Sequence, residues 1–204
     1  MSDAAPAAIS AVRTALGPNG AFAQQIPGYQ PREPQIAMAE AVEQALSARS
    51  LLLVEAGTGT GKTYAYLVPA ILSGKKAIVS TGTRNLQDQL FHRDLPMVRK
   101  LLGRPVRTAL LKGRSNYLCP YRLQQHLDEG EFESKQIVHD LHRVAAWAGK
   151  TEQGDIAELL DIAEDSMVWP LVTSTADNCL GQECPKVEDC PLMKARAKAT
   201  EADL

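Results

Sequence analysis

Leu51-Leu52-Leu53-Val54-Glu55-Ala56-Gly57-Thr58-Gly59-Thr60-Gly61-Lys62-Thr63 joins a short apolar run to a glycine-rich loop that ends in Lys-Thr. Leu51 to Val54 has the length and continuous apolarity of a strand buried on both faces. Gly57, Gly59 and Gly61 then let the backbone turn sharply with its N–H groups pointing inward, where they can grip phosphate oxygens. Lys62 is placed to reach the outer phosphates as a point charge, and Thr63 to offer its hydroxyl to Mg2+. A helix beginning there would aim its positive dipole end at the anion. The strict pattern starts with Gly where this chain has Ala56, a mild departure because a small residue tolerates the tight strand exit. An ordinary Gly-rich turn explains the stretch less well, since strand, alternate glycines, Lys-Thr and apolar helix occur in the order that a phosphate loop requires.

The chain has 204 residues, enough for one large domain or two small ones with a buried core. Its net charge of −2 and pI near 6.1 provide no global basic footprint, so nucleic-acid binding has to rest on local sites. No run approaches the roughly 18 apolar residues of a membrane span. The N-terminus carries Asp3 and lacks the compact apolar stretch of a signal peptide, so a cytoplasmic globular protein is expected. Four cysteines in such a chain argue for metal ligation or free thiols rather than a disulfide scaffold.

Residues 1 to about 25 are Ala-rich and broken by Pro6, Gly17, Pro18 and Gly20, with a weak helical pattern at Ile9, Val12 and Leu16; they read as a loosely held arm. A turn-rich segment, Ile26 to Arg32, leads into a helix from about Pro34 to Ala48 whose buried face comprises Ile36, Met38, Ala39, Val42 and Leu46. Tyr29, Arg32 and Gln35 lie just upstream of the first strand. An aromatic residue and a Gln in that place suit an adenine-reading motif, but they equally suit a helix cap and a solvated helix start. The residues alone leave both open.

A helix over Tyr64 to Leu72 is followed by Lys76 to Ser80, a second short strand, giving a β-α-β unit. Its crossover is expected to be right-handed and its sheet parallel, which places both strand ends on the ligand-binding rim. Thr81, Thr83 and Arg84 at that rim suit nucleic-acid phosphates, although capping of a helix over Arg84 to Leu102 explains the threonines as well. A third strand, Thr108 to Leu111, ends in Lys112-Gly113-Arg114-Ser115-Asn116-Tyr117-Leu118-Cys119. Lys112, Arg114 and Tyr117 together suit a single-stranded backbone with one stacked base; a solvated loop is the plainer alternative.

Beyond Cys119 the alternation of strand and helix stops. Residues 120 to about 165 read as helices, such as Gln136 to Ala148 with Ile137, Val138, Leu141, Val144, Ala145 and Trp147 on its apolar side. Cys179, Cys184 and Cys190 follow in a C-x4-C-x5-C spacing, with Cys119 as the distant fourth. Three ligands on one loop and one from elsewhere fit an iron-sulfur cluster better than structural zinc, which favours two tight C-x2-C pairs. Buried unligated thiols remain open. His126, His139 and His142 lack ligand spacing to the cysteines and read as helix residues.

Taken in order, YQPREPQ, EAGTGTGKT, STGTRNLQDQL, KGRSNYLC and C-x4-C-x5-C closely resemble the XPD/DinG family of iron-sulfur superfamily 2 DNA helicases, and within it the bacterial YoaA branch. The resemblance runs from about Gly28 to Leu204. It implies ATP-driven DNA unwinding, usually 5′ to 3′, in DNA repair or replication-fork rescue, on single-stranded and forked DNA, with ATP, Mg2+ and a [4Fe-4S] cluster as cofactors. A replication or repair protein is a further possible partner; a membrane is not. The resemblance assigns Lys62 and Thr63 to catalysis at the phosphates, and Ala56, Gly57, Thr58, Gly59, Thr60 and Gly61 to the rest of the loop. It also assigns Tyr29, Arg32 and Gln35 to the adenine side, the Thr81 to Leu90 segment to DNA, and Cys119, Cys179, Cys184 and Cys190 to the cluster.

No Asp-Glu-Ala-His segment occurs in the chain, so the carboxylates that phosphoryl transfer needs are absent from it, as is a second motor domain. The expected fold is therefore α/β: an incomplete RecA-like P-loop NTPase motor domain with a parallel sheet and a helical iron-sulfur insertion. The expected divisions are a flexible arm over 1–25, the ATP-binding part of the motor over 26–118, the cluster insertion over 119–192, and a return toward the motor over 193–204. The chain is expected to be the N-terminal portion of a helicase, inactive alone. The alternative is a non-catalytic iron-sulfur or zinc module that binds DNA or a partner.

Overall fold

The computed structural model describes residues 10–130, 132 and 134–204. The chain divides into two compact units, one running to Thr108 and taking in Ala202–Leu204, the other running from Ala109 to Glu201.

The first unit is helical. Helices α1 (Ala11–Leu16), α2 (Ala21–Gln25) and α3 (Glu33–Ala48) precede α4 (Lys62–Leu72), the helix that follows the glycine-rich loop. A long helical run then covers α5 (Arg84–Gln89), a π-helical turn (Leu90–Asp94) and α6 (Leu95–Leu102). Helix α4 lies at the centre because it is apolar on nearly every side, and Ala65, Leu67 and Val68 have no solvent exposure. Helices α1, α3 and α6 all pack on it. Pro34 sits in the first turn of α3, where its missing N–H costs no hydrogen bond. Ile36 and Ala39 of the expected apolar face are buried, and Met38 is partly so.

Residues 10–25, expected as a loose arm, are instead part of this core; Ile9 lies outside the described residues. Val12 and Leu16, four residues apart on one face of α1, are fully buried, and so is Phe22 of α2. The Phe22 ring lies 5.8 Å from Tyr29 and 5.5 Å from Tyr64, centroid to centroid. Arg13 fastens α1 to α3 through Glu40 (Nε–Oε1 2.7 Å) and Glu33 (Nη2–Oε1 2.6 Å), and these bonds raise its pKa while lowering that of Glu40. The glycines and Pro18 that suggested looseness serve instead to turn the chain sharply. A Cβ on Gly20 would stand 2.2 Å from the carbonyl oxygens of Thr14 and Ala15.

The expected parallel sheet is not formed: among the described residues no strand occurs at Leu51–Val54, Lys76–Ser80 or Thr108–Leu111. A strand buried on both faces needs neighbours for its backbone and its side chains, and here Leu51, Leu53 and Ile78 are each about 95% exposed or more. One sheet-like contact does exist in this unit. The Ala77 N–H donates to the Asp203 carbonyl (2.9 Å), and the Asp203 N–H donates to the Arg107 carbonyl (2.8 Å). The Asp203 carboxylate also pairs with the Arg107 guanidinium (3.0 Å), which holds its pKa down at about 2. Residue 203 thus ties together the two segments expected as the second and third strands.

The second unit contains α7 (Pro120–Glu129), α8 (Lys135–Ala148), α9 (Trp169–Val172) and α10 (Pro191–Glu201), with 3-10 turns at Arg114–Asn116, Ile156–Glu158 and Gly181–Glu183. Leu123 of α7, Leu141 and Val144 of α8, and Val168, Trp169 and Val172 form its core with Leu118 and Ile162. Two polar side chains are held within this core. The Trp169 indole N–H donates to the Ala163 carbonyl (2.8 Å), and the buried Asp140 carboxylate accepts from Ser166 Oγ (3.2 Å) and Gln136 Nε2 (2.9 Å).

If α1 and α2 are integral to the first unit, Phe22→Ala should lower its stability by about 3–5 kcal/mol, as expected for a buried aromatic. Urea unfolding followed by tyrosine fluorescence measures this. An unchanged midpoint would return residues 10–25 to a loose arm.

Candidate functional site

The glycine-rich loop is held in its turn from both ends. Gly59 (φ 78°) and Gly61 (φ 80°) occupy the left-handed region that favours glycine, and Gly61 caps α4. Gly61 also needs its missing side chain for a second reason: a Cβ there would lie 2.0 Å from Gln35 Nε2. Gln35 is buried and donates to the Gly61 carbonyl (2.9 Å), while Arg32 donates to the Gly59 carbonyl. The Lys62 ammonium reaches back over the loop to the carbonyls of Ala56 and Gly57, both at 2.8 Å, and Thr60 Oγ1 donates to Gly57 (2.9 Å). Thr63 lies one turn before Tyr66, whose hydroxyl pKa burial pushes up and Thr63 draws down.

Lys62, Arg32 and Gln35 are therefore gathered around Ala56–Gly61, with Thr63 next to Lys62 at the start of α4. Tyr29 feels the Arg32 charge but makes its hydrogen bond elsewhere. Its hydroxyl donates to the Leu16 carbonyl (3.0 Å) and its ring packs on Phe22, so burial raises its pKa.

The segments assigned to DNA fare differently from one another. Thr83 caps α5 by accepting from the Leu86 N–H (3.3 Å), and Thr81 Oγ1 donates to the Thr83 carbonyl (3.3 Å); Arg84 is exposed at the start of α5. Lys112 and Tyr117 need correction as DNA contacts. Lys112 is buried and its ammonium lies 2.7 Å from the Asp155 carboxylate, while its backbone N–H donates to the Tyr117 hydroxyl (3.0 Å). Tyr117 is itself buried, and its ring is unavailable for stacking on a base. A cationic and an aromatic residue close in sequence look the same whether they face solvent or each other. The partner that settles the matter, Asp155, is forty-three positions from Lys112.

The four cysteines form no disulfide and line one cavity of about 180 Å3 in the second unit, together with Arg114, Tyr121 and Arg196. Cys119 enters it from the N-cap of α7 and Cys190 from the residue before α10. Burial pushes the Cys119 thiol up; the backbone N–H groups of Arg122 and Tyr121 draw it down, and Cys184 and Cys190 add a smaller upward push. The Gly181 N–H points at Cys179 Sγ (3.4 Å). Among the described residues no three His, Cys, Asp or Glu side chains converge tightly enough to grip a single ion. The donor set nevertheless fits a thiophilic group, since four sulfurs line one shared space and, among the described residues, no carboxylate lines it.

Comparison with known proteins follows the same order of parts. The family profile described as DEAD/DEAH box helicase matches residues 37–125. The ATP-dependent DNA helicase YoaA of Escherichia coli is 54% identical over 189 residues, which is 93% of this chain and 30% of that protein. YoaA of Haemophilus influenzae is 50% identical over 186 residues, covering 91% and 29%. The chain belongs to the DinG/XPD-like helicase family, on its YoaA branch. More distant in that family, the 3′-5′ exonuclease DinG of Bacillus subtilis is 38% identical over 157 residues, 75% of this chain and 17% of that protein. The chain thus spans less than a third of the length of these DinG and YoaA relatives. Membership in this helicase family implies the P-loop NTPase fold for the unit that carries Ala56–Thr63. Among the described residues no helix is long and apolar enough to cross a membrane.

Burial of Lys112 in an ion pair makes a prediction that separates structure from recognition. Lys112→Met should destabilise the second unit by about 3–5 kcal/mol, because it leaves the Asp155 charge unpaired in a poorly solvated place. Denaturant unfolding checks it. A variant of unchanged stability that binds single-stranded DNA more weakly would restore Lys112 as a DNA contact.

Proposed function

We propose that this chain is the ATP-binding and cysteine-bearing portion of an ATP-dependent DNA helicase that couples ATP hydrolysis to unwinding, 5′ to 3′, in DNA repair or replication-fork rescue. The observation that carries the reading is the Ala56–Thr63 loop, turned by two left-handed glycines into the start of α4 with Lys62 at its N-terminus, in a chain 54% identical to a YoaA helicase.

At that loop the backbone N–H groups and the dipole of α4 would receive the nucleotide's phosphates. Lys62 would exchange the two carbonyls it now holds for phosphate oxygens, a stronger partner for an ammonium because both sides are charged. Thr63 would give its hydroxyl to Mg2+, which neutralises charge on the transferring phosphoryl group. Arg32 and Gln35 support the loop from behind through Gly59 and Gly61, so base recognition and phosphate recognition would share one frame. Single-stranded and forked DNA are the substrates this reading implies, with Thr81, Thr83, Arg84 and Arg114 as the contacts. The carboxylates needed to complete hydrolysis do not occur in these 204 residues as an Asp-Glu-Ala-His segment, so the chain alone should hydrolyse ATP negligibly.

Cys119, Cys179, Cys184 and Cys190 would hold a [4Fe-4S] cluster, supported by their common cavity and by a spacing that lacks zinc's tight pairs. Bound there, the cluster supplies a cross-link between the start of α7, the 179–184 loop and the start of α10. Those segments otherwise share little core.

In the complete helicase, Lys62→Ala should reduce ATP hydrolysis and unwinding to background while leaving the thermal unfolding midpoint nearly unchanged, since it removes an ammonium bonded only to loop carbonyls and no core volume. Wild-type unwinding by that variant would overturn the loop's assignment. Protein purified without oxygen should be brown and carry about four irons per chain, and Cys184→Ser should damage unwinding more than basal ATP hydrolysis. A colourless protein with stoichiometric zinc would instead favour a zinc module.

A further inference from the structure

The turn Thr151–Asp155 carries none of the four cysteines, yet it touches the chain beside two of them. The Leu118 N–H donates to the Gly154 carbonyl (2.8 Å), and Tyr117 and Asp155 form an antiparallel bridge, so the turn lies alongside the residues that lead into Cys119. On its other side Gly154 meets Pro191, the residue that follows Cys190. A Cβ built on Gly154 would stand 2.4 Å from Pro191 Cγ, 2.6 Å from Pro191 Cβ and 3.8 Å from Leu118 Cβ. The turn is anchored. Its Gly154 N–H donates to Thr151 Oγ1 (2.8 Å), Thr151 donates to Glu158 (2.7 Å), and Asp155 holds the buried Lys112 (2.7 Å).

From this wedge we infer that Gly154 is a positioning residue for the thiolate site: its bare Cα sets how closely the Cys190 end of the site approaches the Cys119 end. The inference rests on the reading of the four cysteines as one ligand set. A side chain at 154 would have to move Pro191 from 2.4 Å to the 3.4 Å at which ordinary contact begins. That displacement, on the order of 1 Å, exceeds the roughly 0.2 Å tolerance of metal–ligand distances several-fold. Gly154 also has a positive φ of 65°, which by itself favours glycine. The two causes are separable, because removing the Pro191 ring relieves the contact and leaves the backbone strain in place.

The test uses the whole chain, reconstituted without oxygen from ferrous iron and sulfide. Gly154→Ala should hold less iron, show an altered visible spectrum and release iron to a chelator about tenfold faster, the scale on which residues supporting a metal site act. Gly154→Ala/Pro191→Gly should recover iron content, spectrum and release rate. A metal-free arm uses phenylarsine oxide, which closes on paired thiols, in a Cys179→Ser/Cys184→Ser background. Mass spectrometry should show Cys119 and Cys190 bridged with Gly at 154, less bridged with Gly154→Ala, and bridged again when Pro191→Gly is added. If the wild-type chain takes up no iron but the arsenical arm behaves so, the cluster reading fails and the positioning role stands. Wild-type iron, spectrum, release and arsenical closure in Gly154→Ala would overturn the positioning role. So would failure of Pro191→Gly to rescue, or absence of closure in every variant.

Discussion

Gly61 must satisfy three demands at one backbone position, and the arrangement of the first unit follows from it. Its φ of 80° turns the chain out of the loop and into α4, its carbonyl receives the buried Gln35 amide, and the space its side chain would fill is already taken by Gln35. Because Gln35 belongs to α3, this contact sets α3 against the start of α4. Helix α4 then presents a nearly continuous apolar surface on which α1 and α6 also pack. The loop is thus part of the core's geometry, with Lys62 at the start of α4.

The extended segments before and after α4 show how far strand formation depends on partners. Leu51–Val54 has every local property of a buried strand, yet its side chains are exposed and nothing among the described residues pairs with it. The segments at residues 77 and 107 are bridged through the backbone of Asp203, whose carboxylate adds an exposed pair with Arg107. Helices complete their hydrogen bonds within one segment, so α1 to α6 form wherever an apolar stripe can be buried. A ladder needs another segment at 4.7–4.9 Å, and local sequence cannot supply it.

In the second unit the segment that leads into Cys119 is held in place by residues that contribute no sulfur. Cys119 is steered by hydrogen bonds from its own segment to Gly154 and Val172, and the Lys112–Asp155 pair closes the same junction from beneath. A charge buried beside its partner is costly to unpair, so the junction is favoured in a single arrangement. Lys112 and Tyr117 are thereby committed to structure, and within the KGRSNY segment Arg114 and Tyr117 both line the cavity.

The glycine-rich turn into α4, the apolar stripes of α3 and α8 and the grouping of the four cysteines were legible in the sequence, because each depends on residue type at short, regular spacing. Glycines at alternate positions before Lys-Thr allow few backbone paths, and a helical face repeats every three or four residues. Tertiary structure alone decided that residues 10–25 join the core, that Lys112 is buried against Asp155, that Tyr29 turns to Leu16 rather than to the loop, and that Gly154 wedges between the neighbours of Cys119 and Cys190. These outcomes rest on contacts between residues far apart in the chain or on the detailed course of its turns. Whether a charge faces solvent or a counter-charge, and whether an apolar run finds a neighbouring strand, depends on which distant segment arrives beside it.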